Sequence, residues 1–297
     1  MMKGKNYWKN IKNEYLGRGF VTFCGFLIIF LTISIIAFLG VKGVSTFTKQ
    51  GYPLEDFLFS FNWNPGAEVP SLGALTFIVG SALVSIGAVL LSTPIALSVA
   101  IFSNFISPKL GKKVIQPVLE LFVGIPSVVY GLLGISLLVP LIRDTTGGIG
   151  FSLLAGILVL SVMILPTIAT ISSDAIKSVS RDYVEGSYGL GATRWQTIKN
   201  VVLPASKTGI LTSIILGLAR AFGEALAVQM VIGNSIKLPN SLFKPATTLT
   251  SIITMDMANT VEGTLWNDAI WSLALILLII SFLFIIITKA LAKGEDV

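Results

Sequence analysis

Apolar residues along this chain gather in runs of twenty or more, separated by shorter stretches that hold most of the charge. The hydrocarbon core of a bilayer is about 30 Å thick, which a helix of ~20 residues crosses. Six runs reach that length: 20–41, 75–102, 116–141, 151–171, 208–231 and 269–291. They do not alternate apolar and polar positions as barrel strands do. Lipid offers no water to pair backbone groups, so the pattern predicts six transmembrane helices and an all-α integral membrane protein. The first run has no charged residue. Pro94 is read as a kink in the second, and Pro166 lies near the end of the fourth. The third is less uniform, with Glu120, Pro126, Gly131 and Gly134. A stripe of small residues in the second (Gly80, Ser81, Ala82, Ser85, Gly87, Ala88) suits close helix packing.

Charge sets the expected orientation. Fifteen of the 21 basic residues fall before the first run, after the second and fourth, and at the C-terminal end, Lys289 and Lys293 included. Five fall on the other side: Lys42, Lys49, Arg143, Lys237 and Lys244. The positive-inside rule then puts both termini in the cytoplasm, in agreement with an even number of spans. The expected organisation is a cytoplasmic tail, 1–19, and a transmembrane domain, 20–297, with a cytoplasmic loop at 172–207. The basic start followed by an apolar run invites comparison with a signal peptide. At 22 residues the run is too long for one, and no A-x-A site follows it.

Composition supports the membrane reading and excludes others. Of 297 residues, 54% are hydrophobic and 12% charged, against about 25% charged in soluble domains. Mean hydropathy is +0.86. Disorder, a disulfide scaffold and nucleic-acid binding are excluded for the chain as a whole. The net charge of +6 follows from the loops facing the cytoplasm and calls for no acidic partner.

Histidine is absent and Cys24 is the single cysteine, so histidine-based catalysis, a Cys-based zinc site and an intrachain disulfide are excluded. No metal site and no bound cofactor are expected. No G-x-x-x-x-G-K-[ST] loop occurs, so the chain is not itself an ATPase. Three ionisable residues remain within spans: Glu120, Arg220 and Glu224. An arginine at a helix centre costs about 2.5–3.5 kcal/mol on insertion scales. At i and i+4 in one helix, Arg220 and Glu224 would share a face. Either an ion pair locking the bundle or a solute or gating site fits these residues. Arginine suits phosphate or carboxylate, although Glu224 offsets its charge. Glu120 lies nearer its helix end, where snorkelling and function are both open.

The loop at 172–207 carries the most specific pattern. Glu185, Gly186, Ser187, Tyr188, Gly189, Leu190 and Gly191 are followed, nine residues on, by Val201, Val202, Leu203 and Pro204. Asp182 and Glu185 favour a helix start, Gly191 a turn, and Pro204 a stop or a new start. The spacing resembles the EAA loop of ABC-importer permeases. It matches at Glu185, Gly191, Leu203 and Pro204, and departs at Gly186, Ser187 and Val201. The resemblance implies a type I permease bundle and a loop helix docked on a separate, ATP-using ATPase subunit.

A finer resemblance runs along most of the chain. Gly124-Ile125-Pro126-Ser127-Val128-Val129-Tyr130-Gly131, Gly147–Gly156, Met163-Ile164-Leu165-Pro166 and Arg220-Ala221-Phe222-Gly223-Glu224-Ala225-Leu226-Ala227-Val228 are similar to segments of phosphate-importer permeases. Met230–Asn234, Ser241–Ala246 and Thr248–Thr250 favour the PstC-type half. This resemblance implies Arg220 and Glu224 in phosphate transport; Pro126, Ser127, Tyr130 and Glu120 are further path or gating candidates. It also implies a PstA-type permease, two PstB-type ATPases and an extracytoplasmic phosphate-binding protein as partners, in a prokaryotic plasma membrane. A permease for another solute, and a self-contained channel or secondary transporter, are the alternatives.

Overall fold

The computed structural model describes residues 3–292, with side chains from 17 to 291; Lys293 of the charge count lies outside the described residues. The first helix, α1 (Lys3–Thr48), carries the basic tail and the first span without interruption. Its apolar side chains at Phe20, Phe23, Phe26, Ile28 and Phe30 are exposed, as expected of a surface that faces lipid. Its far end is fastened to α15 (Leu265–Ala292) by polar contacts. Ser45 and Gln50 donate to Asp268 at 3.0 and 2.9 Å, and the hydroxyls of Thr46 and Ser272 lie 2.7 Å apart. Buried polar groups must find partners, and these fix the register of an otherwise lipid-exposed helix.

A small cap follows, made of α2 (Leu54–Phe59) and an antiparallel pair, β1 (Trp63–Asn64) and β2 (Ser71–Leu72), with Trp63 opposite Leu72. Phe57, Trp63, Leu72 and Phe77 bury together beneath it. The next helix, α3 (Leu75–Ile101), runs unbroken through Pro94 and continues in a wide π turn to Ile106. α4 (Pro108–Leu110) and a second π turn lead into α5 (Gln116–Gly124).

The expected third span, 116–141, is broken. Ile125 and Pro126 are extended, at ψ 126° and 140°, before α6 (Ser127–Leu133), a π turn and α7 (Val139–Thr146). Proline disfavours the helical region for the residue before it and has no N–H. The carbonyl of Phe122 thereby loses its i+4 donor, and the Tyr130 hydroxyl takes that place at 2.8 Å.

Gly147, at φ +68°, ends α7. The Ser152 side chain accepts the Ala155 N–H to start α8 (Leu153–Lys177). This helix packs along α3 on one side and along α12 (Lys207–Gly223) on another. Their shared core holds Val84, Ala88, Ala96, Leu160, Ile164, Ile168, Ala221 and Val228. A Cβ on Gly217 would lie 2.6 Å from Ile168, so the helices approach as closely as they do because that residue is glycine.

The expected fifth span, 208–231, is likewise two pieces. α12 ends at Gly223, Glu224 is extended at ψ 125°, and helix resumes in α13 (Leu226–Ile232). At its other end α12 bends by 69° from the segment Arg194–Ala205. Between α13 and α15 a short helix, α14 (Leu249–Asp256), packs against α3, α13 and α15. Among the described residues five helices are long and apolar enough to cross a membrane, or six when the bent pair counts as one span.

Candidate functional site

The 172–207 loop folds as two helical pieces around a turn. α9 (Arg181–Gly189) starts at Ser180, whose side chain accepts the Asp182 N–H. Gly191 turns the chain at φ +83°, a conformation that costs other residues about 1–2 kcal/mol. A capping box between Thr193 and Gln196 then opens α10 (Arg194–Thr197), followed by a π turn and α11 (Leu203–Ala205). Ser187 and Thr197 hydroxyls, 3.0 Å apart, tie the two pieces together. Of the motif residues, Glu185, Gly186, Gly191 and Pro204 are exposed, and Ser187, Val201 and Leu203 are half-buried. Leu190 is 92% exposed and Trp195 61% exposed, and Tyr183 and Tyr188 are exposed on the same loop. On the reverse side Val202 buries with Ala100, Ile176 and Ile210, at the ends of α3, α8 and α12. The loop thus offers an apolar outer face and is anchored to three helices of the bundle.

Arg220 and Glu224 are not an ion pair. With the helix ending at Gly223, the i,i+4 geometry expected of them is lost. The Arg220 guanidinium donates instead to the Thr167 hydroxyl on α8 at 2.9 Å and is exposed. Glu224 is half-buried, lining a small pocket with Ser81, Ser85, Val228, Thr248 and Thr250 that has no room for a water molecule. Its backbone carbonyl, orphaned by the break, accepts from Thr250 at 2.7 Å. Tyr130 lies within electrostatic reach of Arg220, and α6 packs on α13, so both broken spans meet in one region.

Pro126, exposed, lies in the other break, and Ser127, half-buried, opens the helix after it. Glu120 lies apart, exposed, accepting from Gln116 at 3.1 Å. It lines a separate cleft of about 420 Å³ at the basic end of the bundle, with Asn104, Lys112, Ser173, Asp174 and Lys177. Thr167 and Thr250 were missed from the sequence, where each is one hydroxyl among many. The tract Leu165-Pro166-Thr167 is a faint signal for the first. Among the described residues no group of three or more Cys, Asp or Glu side chains could hold a metal.

An apolar bundle with two broken spans that meet near an arginine, and an exposed helical loop rooted in three spans, is the frame in which the relatives of this chain are to be read. Residues 92–296 match the family described as "Binding-protein-dependent transport system inner membrane component", and the chain belongs to that family. It is similar to the probable ABC transporter permease protein YqgH of Bacillus subtilis (strain 168), with 51% identity over 96% of this chain and 93% of the relative. It is also similar to the phosphate transport system permease protein PstC of Mesorhizobium japonicum, with 34% identity over 89% and 87%. Among solved structures, a chain of a bacterial ABC transporter that imports the acidic polysaccharide alginate shares its fold, with a TM-score of 0.65 at 16% identity, covering 98% of this chain and all of that one. A chain of the MetNI methionine ABC transporter gives 0.55 at 19% identity, covering 74% and 94%. The protein is therefore a multi-pass permease subunit of an ABC importer, with the type I bundle.

Proposed function

We propose that this chain is the PstC-type permease of an ATP-driven phosphate importer. The observation that carries the reading is the Arg220–Glu224 turn: an arginine held by Thr167 with its charge unpaired by Glu224, inside a bundle whose relatives include phosphate permeases. A guanidinium offers phosphate a charged, forked donor at little reorganisation cost. A PstA-type permease completes the path. Two PstB-type ATPases dock on the exposed loop and supply the ATP chemistry, and an extracytoplasmic phosphate-binding protein delivers the solute. No cofactor is bound by this chain. Both termini are cytoplasmic, and the loops 42–74 and 232–268 lie outside.

Closure of the ATPases displaces the Glu185–Pro204 loop. Because Val202 is buried among the ends of α3, α8 and α12, the displacement tilts those helices together. The two breaks at Ile125–Pro126 and Glu224–Ala225 are where the spans can bend. The test is uptake of labelled phosphate by membrane vesicles bearing the assembled transporter, challenged with excess sulfate or methionine. Uptake that only unlabelled phosphate suppresses supports the assignment. ATP-dependent uptake of another solute, uncompeted by phosphate, refutes it.

A further inference from the structure

The break at Glu224 has no proline to enforce it, so something else must hold the chain extended. One contact from α14 reaches it directly, and four more hold α14 in place. The Thr250 hydroxyl donates to the Glu224 carbonyl at 2.7 Å. The Thr254 hydroxyl, one turn along, lies 2.7 Å from Oε1 of Gln229 in α13, beyond the break. At its start α14 is pinned to α3: the Leu249 N–H donates to Ser81 at 2.8 Å, and Gly80 lies directly against the Thr247 carbonyl. At its end Asp256 accepts from the Trp266 indole of α15 at 3.3 Å.

The hydroxyls form a line. Ser251 and Thr248 oxygens are 2.8 Å apart, Thr248 and Thr250 3.0 Å. With Ser251 donating to Thr248, Thr248 to Thr250 and Thr250 to the Glu224 carbonyl, each hydroxyl gives its single proton to one acceptor. Thr248, Thr250 and Ser251 are all at least 95% buried. Such a relay polarises along its length, and its end point is a carbonyl freed by the break.

We propose that α14 is a strap that sets the conformation of the Glu224 turn, with Thr250 as its positioning residue. The proposal rests on the reading that Arg220 and Glu224 lie on the solute path. Because Leu249 and Ile252 of α14 bury with Phe57, Trp63 and Leu72 of the cap, a push on the cap reaches the turn through Thr250. The turn then opens or closes the pocket between Glu224 and Ser85.

The test uses the assembled transporter with Cys24→Ser and a reporter, Ser85→Cys, which is 2% exposed as serine. Its reaction rate with a small methanethiosulfonate reports opening of the pocket and needs no transported solute. Thr250→Val keeps the shape and removes the hydroxyl; we expect labelling at least tenfold faster. Thr250→Ser keeps the donor and stays within twofold of the parent. Thr254→Val, on the exposed side of α14, raises the rate in the same direction and serves if the first variant does not assemble. Unchanged labelling in both valine variants, or a serine variant as fast as valine, overturns the strap. Phosphate uptake, measured without the reporter, falls at least tenfold in Vmax for Thr250→Val with KM unchanged, since the residue positions the turn and does not bind the solute. Normal Vmax in a fast-labelling variant overturns the functional part. A parent transporter that labels slowly yet takes up no phosphate refutes the phosphate reading and leaves the strap standing.

Discussion

Arg220→Gln, Glu224→Gln and their combination test whether this pair is a lock or part of a path. Breaking a buried ion pair from one side costs about 3–5 kcal/mol, because the remaining charge is stranded. Removing both partners would then recover most of that loss. The structure contains no such pair. Arg220 donates to Thr167 at 2.9 Å and is exposed, while Glu224 lies beyond the helix end in a separate pocket. Arg220→Gln forfeits one charged hydrogen bond, partly replaced by water, or about 1 kcal/mol. That corresponds to a melting shift of about 2–4 °C on the scale of domains of 150–250 residues. Residues without a shared partner add within about 0.5 kcal/mol, so the double variant's shift should equal the sum of the singles to that margin. The assay is thermal denaturation of the purified transporter, alongside phosphate uptake. Arg220→Gln and the double variant should assemble and remain inactive. A coupling above about 1.5 kcal/mol, or uptake restored in the double variant, would restore the lock and refute the reasoning.

Three further outcomes are expected. Gly80→Ala puts a Cβ 2.0 Å from the Thr247 carbonyl, a backbone atom that cannot swing away, and should lower stability by about 1–3 kcal/mol; an unchanged melting midpoint would contradict the packing of α14 on α3. With Cys24 replaced, cysteines at Val69 and Leu190, both highly exposed, should be labelled from outside and only after permeabilisation, respectively; the reverse result overturns the topology. The hydrogen bond and charge of Lys42 hold the Glu262 carboxyl below the usual glutamate range. A depressed folded-state pKa stabilises above the unfolded value and is lost as pH falls through the folded one. Glu262→Gln should therefore flatten that acid limb, and parallel acid titrations of stability in variant and parent would show that the pair does nothing.

The spans were legible because lipid imposes one simple demand, a long apolar run, and the runs at 75–102 and 269–291 meet it directly. The turn in the 172–207 loop was legible because its spacing is tied to its shape: Gly191 does sit at positive φ. The breaks were less so. Pro126 is visible in the sequence, yet what stabilises the break is a tyrosine one turn beyond it. Glu224 looked like the next turn of a helix, because Gly223 is only a weak breaker. What holds it open is Thr250, 26 residues away, one hydroxyl in a chain rich in them. Serine and threonine are ordinary in membrane helices, so nothing marks which of them will meet an orphaned carbonyl.

The central claim is that this chain forms a phosphate path worked by a docked ATPase. Its most direct test is phosphate accumulation in proteoliposomes holding the complete transporter, with the binding protein on one side and ATP on the other, for the parent and for Glu185→Lys. Accumulation against a gradient should require ATP, and the Glu185→Lys transporter, altered on the exposed face of α9, should hydrolyse ATP without accumulating phosphate. Phosphate flux that proceeds without ATP, or a Glu185→Lys transporter coupled as tightly as the parent, would contradict the account.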